Sequence, residues 1–157
     1  MFMLRHLAAA ALAVAVASPA MALEAYKSVM VDATPAQAWA AVGDFCGIST
    51  WHPAVEKCEL GKKEGKTIRS LSLKGGGTLV EEETAHGKSS YSYAILSGPL
   101  PVEKYRSTLK VEETGGHTVI DWSGKFAPKG APDEKAKEVI DGIYQAGLDS
   151  LASKLKM

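Results

Sequence analysis

Beyond Pro132 the chain runs to its C-terminus without another proline, and Ile140, Tyr144, Leu148, Leu151 and Leu155 recur at the spacing of one helical face. Asp133 and Glu134 stand at the positive N-terminal end of this predicted helix, and Lys154 and Lys156 at its negative end. A single long helix with one apolar face must bury it, and everything large upstream reads as strand. From Val55 to Phe126 the hydrophobic period is two. Breaks fall at Gly61 to Gly65, Gly75-Gly76-Gly77, His86-Gly87-Lys88, Gly98 to Pro101 and Thr114-Gly115-Gly116. Those breaks fit a meander of six antiparallel strands. Its concave face is the only partner available to the helix.

Ahead of the meander, Ala25 to Val31 reads as one more strand. Thr34-Pro35-Ala36-Gln37 then supplies an N-cap, a proline at the first helical position and a capping-box partner. The helix it opens is short and ends around Phe45 to Gly47. The expected fold is therefore α+β: a curved antiparallel sheet of about seven strands wrapped around a long C-terminal helix. Gly142 and Gly147 interrupt that helix at about 1 kcal/mol each relative to alanine, which calls for close approach to the sheet or room for something else.

With 157 residues and 18 Lys+Arg against 18 Asp+Glu, the chain suits one domain and carries no cationic excess. Nucleic acid, whose phosphates demand clustered positive charge, is excluded as a partner class. Residues 1–22 read as a secretory signal: Arg5, an apolar run from Leu7 to Ser18, and Ala20-Met21-Ala22 as the cleavage site. The run is too short to span a bilayer, so no stable membrane span is expected after cleavage. Residues 23–157 form the domain, and its expected location is periplasmic or secreted. In such a compartment Cys46 and Cys58 have two readings, a disulfide or a pair of small buried thiols.

Strand alternation nominates the interior. Arg69, Leu71 and Leu73 share one face, as do Leu79, Glu81 and Glu83 on the next strand. Pairing Leu73 with Leu79 across the triple glycine sets Leu71 opposite Glu81 and Arg69 opposite Glu83. An inward Arg69 then needs Glu83 or Glu81 as its partner; the other reading has the strand projecting past the helix with both charges in water. Tyr91, Tyr93 and Ile95, then Tyr105, Ser107, Leu109 and Val111, then Thr118, Ile120, Trp122 and Phe126 continue the inner face. These residues either fill the core or line a cavity for an amphipathic molecule.

Chemistry is sparse. His52, between Trp51 and Pro53, is the one histidine placed to act on a ligand; His86 and His117 fall at turns or strand ends. Gly75-Gly76-Gly77 runs into a strand rather than a helix, so it turns a hairpin and cradles no phosphate. No histidine pair has metal-ligand spacing, and no cofactor or metal is implied.

The order strand, helix, six-strand meander and long terminal helix resembles the START-like superfamily, also described as the Bet v 1 or polyketide cyclase/dehydrase-like (SRPBCC) group. The motifs carrying it are Ala33-Thr34-Pro35-Ala36-Gln37-Ala38-Trp39, the stretch from Phe45 to Trp51-His52-Pro53-Ala54-Val55, and Gly98-Pro99-Leu100-Pro101-Val102 with Tyr105 downstream. Among exported members the chain is similar to periplasmic methanol-oxidation accessory proteins of the MxaD type. The resemblance implies a helix-grip fold holding a small apolar or amphipathic ligand. Candidate contacts are Trp51, His52, Arg69, Leu71, Glu81, Glu83, Tyr91, Tyr93, Tyr105, Trp122, Tyr144 and Leu148, with no catalytic residue assigned. A periplasmic dehydrogenase or cytochrome is the protein partner the MxaD-type likeness implies. The alternative is a cyclase-like enzyme with acid/base groups in the cavity.

Overall fold

The computed structural model describes residues 21–156. The predicted signal segment lies outside these residues except for Met21 and Ala22. In chain order the elements are β1 (Leu23–Val31), α1 (Pro35–Val42), α2 (Ile48–Trp51), β2 (Val55–Lys63), β3 (Lys66–Leu73), β4 (Thr78–His86), β5 (Ser90–Ser97), β6 (Val102–Thr114), β7 (His117–Pro128) and α3 (Asp133–Lys154). One antiparallel sheet runs β1-β7-β6-β5-β4-β3-β2, so β1 and β2 are its two edges.

α1 begins where its capping box dictates. The Thr34 side chain accepts from the Gln37 amide, and the Gln37 side chain accepts from the Thr34 amide at 2.8 Å. It stops at Gly43, a turn short of the expected end. The chain then makes the one-turn helix α2, which is too short to leave a periodic signature. Gly61 lies inside β2, and the turn falls at the far end of the expected break, at Glu64 and Gly65, both in the left-handed region.

The β3–β4 register differs from the expected one. Leu71 pairs with Leu79 and Arg69 with Glu81, because the hairpin closes earlier, at Ser72 opposite Thr78. A slip of two residues keeps every side chain on its face and changes only its partner. The buried arginine therefore meets Glu81, and Glu83 sits two residues further along β4, beyond the Ile68–Glu82 pair.

α3 lies in the hollow of the sheet, against β1 and β7. Ile140, Tyr144, Leu148 and Leu151 are all buried, and Leu155 is partly so. Gly147 is what allows the helix down onto its bed. A Cβ there would stand 2.8 Å from His52 Cδ2 and from Trp122 Cζ3, closer than real carbon contacts. Gly142 is different: nothing stands within 4 Å of the position its Cβ would take, and no packing role for it is visible. Among the described residues no helix is long and apolar enough to cross a membrane.

Cys46 and Cys58 form a disulfide, with Cα atoms 5.5 Å apart. It ties the segment between α1 and α2 to the edge strand β2.

Candidate functional site

α3 does not fill the hollow along its whole length. Beside its N-terminal half, bounded by Val139, Ile140 and Ile143, lies a pocket of about 370 Å³. Its far walls come from β3 to β5 (Leu71, Leu73, Leu79, Glu81, Tyr93 and Ile95). Ile48 and His52 close one side, and Tyr105 and Trp122 form the floor. Leu73, Ile95, Leu100, Val139 and Ile143 are only half-buried and ring the mouth. The wall is aliphatic and aromatic, with few polar groups, as in sites for small apolar molecules.

The floor is stiffened by a chain of buried hydroxyls. Tyr93 and Tyr105 oxygens are 3.3 Å apart, Tyr105 and Tyr144 2.5 Å, and Tyr144 and Ser107 2.8 Å. Ser107 donates to the Ser123 carbonyl at 2.7 Å. Trp122 Nε1 donates at 3.0 Å to both the Tyr93 and the Ser107 oxygens. The Trp122 indole also stacks on the Tyr144 ring, centroids 4.5 Å apart. Gly124 leaves the space for the Tyr144 hydroxyl, since a Cβ there would lie 2.2 Å from that oxygen. Burial lifts the Tyr93 and Tyr105 phenols well above their ordinary value and Tyr144 to about 12, so all three are neutral donors.

Behind the opposite wall sits an ion pair. Arg69 is fully buried, and its Nε donates to Glu81 Oε2 at 2.6 Å. Its Nη1 donates to the Phe45 carbonyl, and the guanidinium lies over the Phe45 ring at 4.0 Å and the Tyr93 ring at 4.9 Å. Burial works against the Arg69 charge, but the Glu81 carboxylate overcomes it and holds the group protonated. Burial raises the Glu81 carboxyl, against the pull of Arg69. Glu81 reaches the pocket wall; Arg69 does not.

His52 is fully committed. Its Nδ1 accepts from the Ala54 amide at 3.1 Å, which leaves Nε2 to carry the proton and donate to the Ile143 carbonyl at 2.9 Å. The ring is neutral, and burial, with Arg69 contributing, pushes its pKa below the usual 6.5. Such a group resists a proton that the unfolded chain accepts. The stability it brings is present above about pH 6.5 and is lost as pH falls. Urea unfolding at about pH 7 and about pH 5 is expected to show a drop for the wild type that is smaller in His52→Phe. An equal drop in both proteins would detach His52 from the acid sensitivity.

Of the twelve predicted contacts, the structure brings His52, Leu71, Glu81, Tyr93, Tyr105 and Trp122 to the pocket wall. Trp51, Arg69, Tyr91, Tyr144 and Leu148 are buried behind it. Glu83 points elsewhere, toward His86 Nδ1 at 2.9 Å near the end of β4. Missed were the aliphatic residues of the mouth and of the helix, chiefly Leu73, Leu79, Leu100, Val139, Ile140 and Ile143. The period-two pattern already put Leu73 and Leu79 on the inner face. Val139 and Ile143 flank Ile140 on the edge of the helical stripe, a signal that was available.

A curved seven-stranded antiparallel sheet gripping a C-terminal helix is the START/Bet v 1 helix-grip fold. The family described as "Polyketide cyclase / dehydrase and lipid transport" matches residues 22–156. The chain belongs to this family. Among solved structures it is similar to the protein XoxI from Bacillus cereus, at 29% identity and TM-score 0.79, over 84% of this chain and 94% of that one. The Zhui aromatase/cyclase from Streptomyces sp. R1128 superposes with TM-score 0.68 at 16% identity, over 86% and 94% of the two chains. A START superfamily protein from Mycobacterium smegmatis does so with TM-score 0.69 at 15% identity, over 84% and 96%. These last two speak for the fold alone. No curated protein matches the chain in sequence.

Proposed function

We propose that this family member is an exported binding protein that holds a small apolar or amphipathic molecule between sheet and helix without turning it over. The observation that carries the reading is the pocket itself: about 370 Å³ of space between sheet and helix, walled chiefly by apolar side chains. The family description, which includes lipid transport, agrees with it.

The cyclase-like alternative draws on the same description but finds little machinery. A general base needs a free nitrogen or oxygen facing the substrate: both His52 nitrogens are taken, and Glu81, with one oxygen bound by Arg69, is the one acid/base carboxylate left on the wall. Arg69 binds Glu81 and the Phe45 carbonyl behind the wall and does not line the pocket. Export is supported by the signal-like residues 1–22 and by the Cys46–Cys58 disulfide, a bond that persists in oxidising compartments. The role of assisting a periplasmic dehydrogenase and its cytochrome rests on the MxaD-type likeness, and a pull-down from periplasm tests it.

Native mass spectrometry of protein purified from its own host is the direct test of holding. A small mass retained in the native spectrum and shed on denaturation is expected. A bare protein mass, with no gain on incubation with periplasmic extract, would remove the carrier reading.

A further inference from the structure

We infer that the pocket selects an uncharged amphipathic molecule whose polar end is a hydroxyl, donating to Glu81 and accepting from Tyr93, and that it rejects the matching carboxylate and ammonium. This rests on the ligand-holding reading above and names the class of molecule held.

The order of protons along the floor follows by elimination. Ser107 gives its proton to the Ser123 carbonyl, which can only accept. The 2.8 Å contact with Tyr144 must then have Tyr144 donating, and the 2.5 Å contact must have Tyr105 donating to Tyr144. Tyr93 already accepts from Trp122 Nε1, and its own proton faces the Tyr105 oxygen across a long 3.3 Å gap. Tyr93 is therefore the one link whose proton is weakly held, and it is on the pocket wall.

The acceptor lies beside it. Glu81 pairs with Ile95 in the β4–β5 register, which makes Tyr93, two residues before Ile95 on the same face, its diagonal neighbour. Arg69 binds Glu81 Oε2, and no bond to the other oxygen occurs among the described residues. A hydroxyl can use both groups at once, giving its proton to the carboxylate and receiving one from the phenol. A ligand carboxylate would meet Glu81 with no cation on the wall to offset it, since Arg69 is held behind. A ligand ammonium would face a carboxylate already neutralised at 2.6 Å by Arg69 and would add a second positive charge beside the guanidinium.

The test uses 1-octanol, octanoate and octylammonium, one chain with three polar ends, titrated calorimetrically into the purified protein. Octanol is expected to bind at least about tenfold more tightly than either ion, the discrimination a buried unpaired charge imposes. Tyr93→Phe is expected to weaken octanol by roughly three- to tenfold, the loss of one hydrogen bond. That variant keeps its fold, because Trp122 Nε1 still has Ser107 as acceptor. Should it melt early all the same, the wild-type ranking of the three probes decides alone. Octanoate or octylammonium matching octanol, or a well-folded Tyr93→Phe binding octanol as before, overturns the hydroxyl assignment while leaving the carrier reading intact. Failure of all three probes to bind removes the carrier reading and this assignment with it.

Discussion

Arg69→Met is expected to cost about 3–5 kcal/mol of folding stability, the toll of removing one partner from a buried ion pair. Methionine fills much of the arginine stem's volume, so the loss comes mainly from what is left behind. The Glu81 side chain is 4% exposed, and among the described residues Arg69 is the only cation paired with its carboxylate. The Phe45 carbonyl loses its donor as well, and the Phe45 and Tyr93 rings lose the cation they enclose. Glu81 can escape only by taking up a proton, which its burial already favours. The Arg69→Met variant should therefore regain part of its stability as pH falls. The double variant Arg69→Met/Glu81→Leu removes both charges and is expected to recover most of the loss, because an apolar replacement of a buried pair is close to neutral. Chemical unfolding of the three proteins at one pH checks this. A single variant as stable as the wild type would mean that the pair is solvated and that the β3–β4 end stands in water.

That the pair lies inside was one of two readings open from the sequence, and the reason is instructive. Alternation fixes which face a side chain takes but not whether the helix reaches over it. The position of Arg69 under the α1–α2 segment depends on Phe45, which a local pattern cannot place. The same limit explains the register. Gly75-Gly76-Gly77 announces a turn, yet three glycines allow more than one closure, and the structure takes the one that joins Ser72 to Thr78. Elements with long periods were legible: the meander, the capping box at Thr34 and the terminal helix all follow from spacing alone. The pocket was legible only as a choice, because the residues that fill a core and those that line a cavity obey the same pattern. What separates them is where α3 sits along the sheet. Gly147 sets its height over Trp122, and the Ile143 carbonyl anchors it to His52. Both are contacts between distant segments.

Loss of the Cys46–Cys58 bridge is expected to cost about 3 kcal/mol, the value that chain entropy assigns to a loop of 12 intervening steps. The consequence should be uneven across the molecule. The bridge holds the α1–α2 segment to β2, and β2 is a sheet edge with a register irregularity between Val55 and Lys57. Phe45, adjacent to Cys46, carries the carbonyl that accepts from Arg69, and Ile48 and His52 just downstream wall the pocket. Freed from β2, this segment is tied down chiefly by the Arg69 and His52 hydrogen bonds and by the packing of Trp51 against Trp122, centroids 5.6 Å apart. β6 and β7, far from the bridge and paired over almost their whole lengths, have no comparable dependence. Hydrogen exchange on the Cys46→Ser/Cys58→Ser variant is therefore expected to show faster exchange in residues 44–60, with β6 and β7 slowed or quickened only in proportion to global stability. Uniform acceleration through the sheet would show that the bridge supports the whole fold. An unchanged melting point after reduction would show that the α1–α2 segment is held without it.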